Sequence, residues 1–265
     1  MWTAVRSAVV VIGVAVTTVV MPPAASSAAA GQSPGGGIAA ILPAPGGVVG
    51  VAHPVVVTFT SPVINRRAAE RTIAVRTTPH MTGTFEWVDD NEVQWVPDYY
   101  WPAHSTVALS VGKLSADFKT GAKVVGVASI SSHTFTVTVD DEEVGPLPAP
   151  HHRPHWGEDG VLPATMGKSE FPTPTGNYTV LAKDNKVLMD SSSVGIPIDD
   201  PEGYRFDVER AVRITRRGLY VHSAPWALAS LGLENVSHGC VGLSPTDAEW
   251  YFDRVNIGDP VIIKE

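Results

Sequence analysis

Between residues 51 and about 120 the chain switches between apolar and polar positions with a period of two. Val55, Val57 and Phe59 alternate with Val56, Thr58 and Thr60. Ile73-Ala74-Val75 is a second short run, and Val107, Leu109 and Val111 mark a third within Thr106 to Val111. Phe85-Glu86-Trp87 and Val93-Gln94-Trp95 flank Asp89-Asp90-Asn91, a hairpin signal. A period of two sends successive side chains to opposite faces of a strand, which no helix can use. Short strands with closely spaced turns predict a small β-sandwich over residues 51–122. Trp87, Trp95 and Trp101 are read as core or inter-domain packing, ahead of a carbohydrate-stacking surface.

The flanks differ in composition. Residues 31–50 are rich in Gly, Ala and Pro and read as a linker, with a first short strand near Ile38 to Leu42. Residues 1–30 read as an export signal. Arg6 supplies the basic start, Ser7 to Met21 the apolar run, and Ala28-Ala29-Ala30 a small-residue cleavage site. That run is shorter than the roughly 20 residues that span a bilayer comfortably. An uncleaved membrane anchor is the competing reading, and both put the remaining chain outside the cytoplasm, in a periplasm or cell wall. A chain of 265 residues fits two modest domains. Its formal net charge of -8, with no block of Lys and Arg, excludes nucleic acid as a natural partner.

The second unit, residues 123–265, is mainly β with at least one helix. Phe135, Val137 and Val139 alternate within Thr134 to Val139, and Asn177 to Leu181, Ala211 to Ile214 and Gly218 to His222 read as further strands. The helix is marked by Ser244 as N-cap, Pro245 in the first turn and Asp247 in a capping-box pattern. Ala248, Tyr251, Phe252 and Val255 give it one apolar face, Gly258 closes it, and Val261-Ile262-Ile263 forms a last strand.

One Cys, at 240, rules out an internal disulfide. A lone exported thiol is an oxidation liability, so its presence asks for a reason. The residues alone leave two readings open: a buried small hydrophobe, or a nucleophile. Gly239 permits a tight backbone approach, and His238 and His222 are available as base or imidazolium partner. The helix a few residues downstream is expected to favour a thiolate through its N-terminal partial charge. Zinc is the further alternative. The absence of a second Cys and the closeness of His238 to Cys240 argue against it.

His222-Ser223-Ala224-Pro225-Trp226 followed by Ser237-His238-Gly239-Cys240 resembles the signature of the L,D-transpeptidase (YkuD-type) catalytic family, in its mycobacterial and actinobacterial branch. Gly167-Lys168, Phe171 to Tyr178, Met189 to Ser192, Gly203-Tyr204-Arg205 and Gly258 to Val261 extend the likeness over 123–265. Pro54-Val55, Ser61-Pro62-Val63 and Tyr100-Trp101-Pro102 resemble the immunoglobulin-like domain that precedes such catalytic domains. The resemblance implies a mainly β chain, an immunoglobulin-like sandwich followed by a β-rich catalytic domain. It also implies 3→3 cross-linking of peptidoglycan stem peptides with release of D-Ala, no cofactor or metal, and covalent inactivation by carbapenems. Cys240 would be the acylated nucleophile and His222 the base, oriented by the carbonyl of Ser223. Backbone N–H groups of His238, Gly239 and Cys240, with Tyr204, would form the oxyanion hole. Tyr204, Met189, Trp226, Ser237 and His238 would contact substrate. Hydrolysis of the same stems and a low-activity wall-binding role are the alternatives. Two features depart from the pattern. Gly242 stands where the family commonly has Asn or Arg, and His151-His152-Arg153-Pro154-His155 lies in what looks like an inserted loop.

Overall fold

The computed structural model describes residues 37–143, 158 and 160–265. The expected export signal and the His151–His155 stretch lie outside the described residues.

The first half is a sandwich of eight strands. In chain order they are β1 (Ile38–Leu42), β2 (Val48–Val49), β3 (Val55–Phe59), β4 (Ile73–Arg76), β5 (Gly83–Trp87), β6 (Glu92–Pro97), β7 (Thr106–Val111) and β8 (Leu114–Thr120). A short helix, α1 (Arg66–Glu70), lies between β3 and β4, with Asn65 capping the Ala68 amide. One sheet has the order β1-β3-β6-β5 and the other β2-β8-β7-β4. The alternation seen in the sequence sends Val55, Val57, Val93, Val107, Leu109 and Phe118 into the shared core. Trp101 is fully buried, stacks on Trp95 at 5.3 Å and meets Phe118 edge-on at 5.8 Å. Its indole N–H donates to the His53 carbonyl, so the ring's one polar atom is satisfied. Trp87 lies at the sandwich edge, 6.2 Å from Phe59 and under the Arg66 guanidinium.

The short strand expected near Ile38 to Leu42 is present as β1, and the linker reading of 31–50 needs correction in that both β1 and Val48–Val49 belong to the sandwich. Ile38–Leu42 pairs antiparallel with β3, and Val48–Val49 pairs parallel with β8. Gly and Pro serve the turn between these two strands rather than a free tether.

The second half contains β9 (Val124–Ser129), β10 (Thr134–Val139), β11 (Glu142–Glu143), β12 (Val161–Thr165), β13 (Gly176–Thr179), β14 (Ala182–Asp190), β15 (Arg205–Arg213), β16 (Tyr220–Ser223), β17 (Val241–Leu243) and β18 (Pro260–Lys264). They join in the order β13-β18-β9-β10-β12-β17-β16-β15-β14, with β11 on β10. Helix α2 (Pro245–Arg254) starts where the sequence places it, its Ser244 side chain accepting from the Asp247 amide. It packs across β15, β16 and β17 and buries Ala248 and Tyr251. Tyr251 meets Phe135 edge-on at 4.8 Å. Truncating a buried ring such as Phe135 to Ala would cost about 3–5 kcal/mol.

The two halves meet at a close backbone joint. Gly50 N–H donates to Ile257, Ala52 N–H to Gly258, and Val51 N–H to the buried Asp259 carboxylate. A Cβ on Gly50 would sit 2.1 Å from the Asp259 nitrogen, so only glycine permits this approach.

Candidate active site

Strand register builds the site. β16 and β17 run parallel, with Val221 opposite Val241 and His222 opposite Gly242. Side chains alternate along strands, so Tyr220 and His222 share a face with Gly242 and the Cys240 position just before it. Cys240 and His222 both line one cavity of about 240 Å³. Met189, Tyr204, Trp226, Ser237, His238 and Gly242 line it too.

His222 is buried, and its Nδ1 lies 2.8 Å from the Ser223 carbonyl. A carbonyl only accepts, so Nδ1 carries the proton and Nε2 is left with its lone pair. Burial lowers the His222 pKa, and the Ser223 carbonyl offsets part of that shift. The imidazole is therefore neutral at pH 7. Trp226 lies 6.0 Å from the His222 ring and is more than half exposed at the cavity mouth.

The Cys240 thiol points toward the Gly218 carbonyl, 3.7 Å away. Burial pushes its pKa up to about 11, with a hydrogen bond from the Tyr220 backbone pulling weakly the other way. This corrects the expected thiolate. Three residues of strand, Val241–Leu243, separate Cys240 from α2, so the helix N-terminus does not begin beside the sulfur. The resting thiol is protonated.

The turn carrying Cys240 is tied from several sides. Ser237 Oγ donates to the Cys240 carbonyl at 2.7 Å and accepts from the Gly239 N–H at 3.1 Å. Thr173 Oγ1 donates to the Gly239 carbonyl at 2.8 Å and accepts from the Gly167 N–H at 2.7 Å. Gly239 has φ 120°, a conformation that side chains resist. Of the three amides expected to face an oxyanion, Gly239 is already bonded to Ser237. Those of His238 and Cys240 have no hydrogen-bond acceptor among the described residues.

Gly242 is not a gap. A Cβ there would lie 2.9 Å from the Ala224 Cβ and 3.0 Å from the Thr165 Cγ2. Thr165 and Ala224 fill the space a larger side chain would take, and both line the cavity.

Sequence reasoning passed over Phe206, which lines the cavity and meets Trp226 edge-on at 4.7 Å. Alternation along β15 could have found it, two residues after Tyr204. It also passed over Thr173 and Glu202, whose roles depend on contacts 66 and 36 residues away in sequence.

A β-sandwich joined to a β-rich domain, with a His on one strand and a Cys immediately before the parallel strand beside it, defines a two-domain protein with a cysteine–histidine site. Residues 32–117 match the bacterial Ig domain family and residues 123–263 match the L,D-transpeptidase catalytic domain family. The chain belongs to the L,D-transpeptidase family. It is 68% identical to the probable L,D-transpeptidase 3 of Mycobacterium tuberculosis (strain ATCC 25618 / H37Rv), over 86% of each chain. It superposes with TM-score 0.79 on the crystal structure of L,D-transpeptidase 3 from Mycobacterium tuberculosis with a faropenem-derived adduct, at 68% identity, covering 86% of this chain and 98% of that one. An LD transpeptidase structure in complex with imipenem matches at TM-score 0.76 and 48% identity, covering 86% and 99%.

Proposed function

We propose that the protein forms 3→3 cross-links between peptidoglycan stem peptides by acyl transfer through Cys240. The observation that carries this is one cavity holding a thiol and a neutral imidazole whose Nδ1 is committed to the Ser223 carbonyl. That commitment leaves Nε2 as the base.

The chemistry then follows from the two protonation states. Cys240 Sγ attacks the carbonyl carbon between the third and fourth stem residues while His222 Nε2 takes the thiol proton. Transfer has to accompany attack, because a thiol near 11 does not ionise ahead of it beside a weakly basic imidazole. The oxyanion falls to the Cys240 and His238 amides and the Tyr204 hydroxyl, and the Gly239 amide would join only by leaving Ser237. Removing one such donor typically costs about 3–4 kcal/mol in a transition state. The carbon–nitrogen bond breaks, the imidazolium returns its proton to the departing D-Ala amine, and a thioester remains. An amine on a neighbouring stem attacks that thioester, His222 takes its proton, and the sulfur leaves and recovers a proton from His222. Met189, Trp226, Ser237 and His238 hold the donor stem. No step calls for a metal or cofactor. This work belongs outside the cytoplasm, with residues 1–30 as the export signal. Carbapenems would acylate the same sulfur, in keeping with the imipenem complex of the relative.

Incubation with imipenem followed by intact-mass measurement tests the assignment. Wild type is expected to gain one imipenem and Cys240→Ala none. An adduct in Cys240→Ala at the wild-type rate would end it. A purified tetrapeptide separates transfer, which yields dimers, from hydrolysis, which yields free tripeptide.

A further inference from the structure

The segment between β14 and β15, residues 191–204, forms a lid beside the cavity. Its ends are pinned together: Ser191 N–H donates to the Tyr204 carbonyl, and Tyr204 N–H to Ser191 Oγ. Beyond that root the lid bonds to itself. Gly195, Ile196, Asp200 and Gly203 donate to carbonyls within 191–203, and Ser192 and Ser193 donate to Asp190 at the root. Val194 and Ile198 point outward and are about half exposed.

One side chain reaches across. Glu202 Oε2 accepts from Lys168 Nζ at 2.6 Å and from His238 Nε2 at 2.9 Å. Lys168 belongs to the loop that carries Thr173, and its own N–H donates to the Ser237 carbonyl. His238 precedes the nucleophile by two residues, and its ring lies between Phe171 at 4.7 Å and Tyr204 at 5.0 Å. A single carboxylate oxygen therefore joins the lid, the 167–173 loop and the turn that bears Cys240.

We propose that Glu202 is a positioning residue that tethers the lid to the nucleophile turn and, through His238, holds Tyr204 at the cavity wall. Its contribution to acylation rests on the transpeptidase reading above; its tethering of the lid does not. Among the described residues the other hydrogen bonds of 192–203 stay within the lid or return to its stem. Loss of the carboxylate thus frees the lid without unfolding what lies beneath. A part-buried ionic tether at the surface is modest in strength and partly screened by salt. The effect expected is a change of a few-fold rather than an abolished enzyme.

Full-length wild type, Glu202→Gln and Glu202→Ala are compared by amide hydrogen exchange over 195–203 and by the rate of imipenem adduct formation. In Glu202→Ala, lid exchange is expected to quicken about two- to fivefold. Acylation should slow by a similar factor while the melting temperature holds. Glu202→Gln, which keeps an acceptor and loses the charge, should fall between. Raising salt to about 0.5 M should quicken lid exchange in wild type and leave Glu202→Ala unmoved. Equal lid exchange in wild type and Glu202→Ala at low salt overturns the tether. Quicker exchange with unchanged acylation overturns the positioning role. If wild type takes no adduct, the transpeptidase reading falls while the exchange measurement still decides the tether.

Discussion

Residues 236–240 form the cavity wall that carries Cys240, residues 191–203 lie beside the cavity between its lining residues Met189 and Tyr204, and the hydrogen bonds of the two segments run in different directions. The nucleophile turn is bonded outward into the body. Ser237 N–H reaches Met166, Val236 N–H reaches Thr165 Oγ1, and the Gly239 carbonyl is held by Thr173. Among the described residues the lid is bonded inward to itself and hydrogen-bonds the body through Glu202. Buried bonds between distant segments resist opening because breaking them strands polar groups away from water. Exposed bonds exchange for water at little cost. The difference suits the proposed acyl transfer, which would need a fixed sulfur beside a cleft that admits a peptide.

The comparison is most exposed to failure at Thr173. Its hydroxyl serves two buried backbone groups, Gly167 N–H and Gly239 C=O. Thr173→Val keeps the shape and strands both. Chemical denaturation is expected to show a loss of about 2–3 kcal/mol, and imipenem acylation should slow at least about tenfold. Thr173→Ser, which keeps the hydroxyl, should restore most of both. A Val variant as stable and as fast as wild type would mean the turn holds itself.

The same contrast explains what could be read in the sequence. Helix α2 was legible because Ser244, Pro245 and the apolar face at Ala248, Tyr251 and Val255 are local signals. The sandwich was legible because alternation is local too. Strand β1 was half hidden. Ile38–Leu42 sits among Gly and Pro, and its partner Val55–Phe59 lies beyond a turn-rich stretch. Strand β14 was missed because most of Lys183 to Asp190 is polar and none of it is buried, so alternation carried no apolar stripe. The candidate site was legible as a motif, but its electrostatics were not. Whether Cys240 meets a helix end or a strand depends on three residues, Val241–Leu243, whose pairing with β12 and β16 is a long-range event. The Glu202 contacts were out of reach for the same reason.

The joint between the halves is built like the nucleophile turn, and its pH response sharpens that likeness. Burial lowers the His53 pKa from 6.5 to about 4 and raises that of Asp259 from 3.8 to about 7. The unfolded chain binds the His53 proton between about pH 4 and 6.5 and the folded chain does not, so this group makes stability rise with pH there. The folded chain holds the Asp259 proton between about pH 4 and 7 and the unfolded chain does not, so this group makes stability fall with pH. Over pH 4 to 6.5 the two slopes oppose, each at most about 1.4 kcal/mol per pH unit. Removing one group should expose the other. Denaturant titrations of His53→Asn are expected to show stability falling over this window relative to wild type, and those of Asp259→Asn to show it rising. Parallel pH profiles in all three proteins would mean that water reaches the joint and that it resembles the lid instead.

The smallest effects belong to the lid surface. Val194 and Ile198 are about half exposed and lie on a segment bonded mainly to itself. Replacing either with Ser removes little buried area, so unfolding free energy should move by less than about 0.5 kcal/mol. Acylation by imipenem, a small molecule, should be equally indifferent. Under the proposed function the donor is a larger stem peptide, which would extend beyond the cavity to the lid edge. A rise in KM for the tetrapeptide with imipenem kinetics unchanged would assign these two side chains to substrate capture. A loss of global stability above about 1 kcal/mol would instead show that the lid's packing supports the fold, and the contrast between a fixed turn and a loosely held lid would no longer stand.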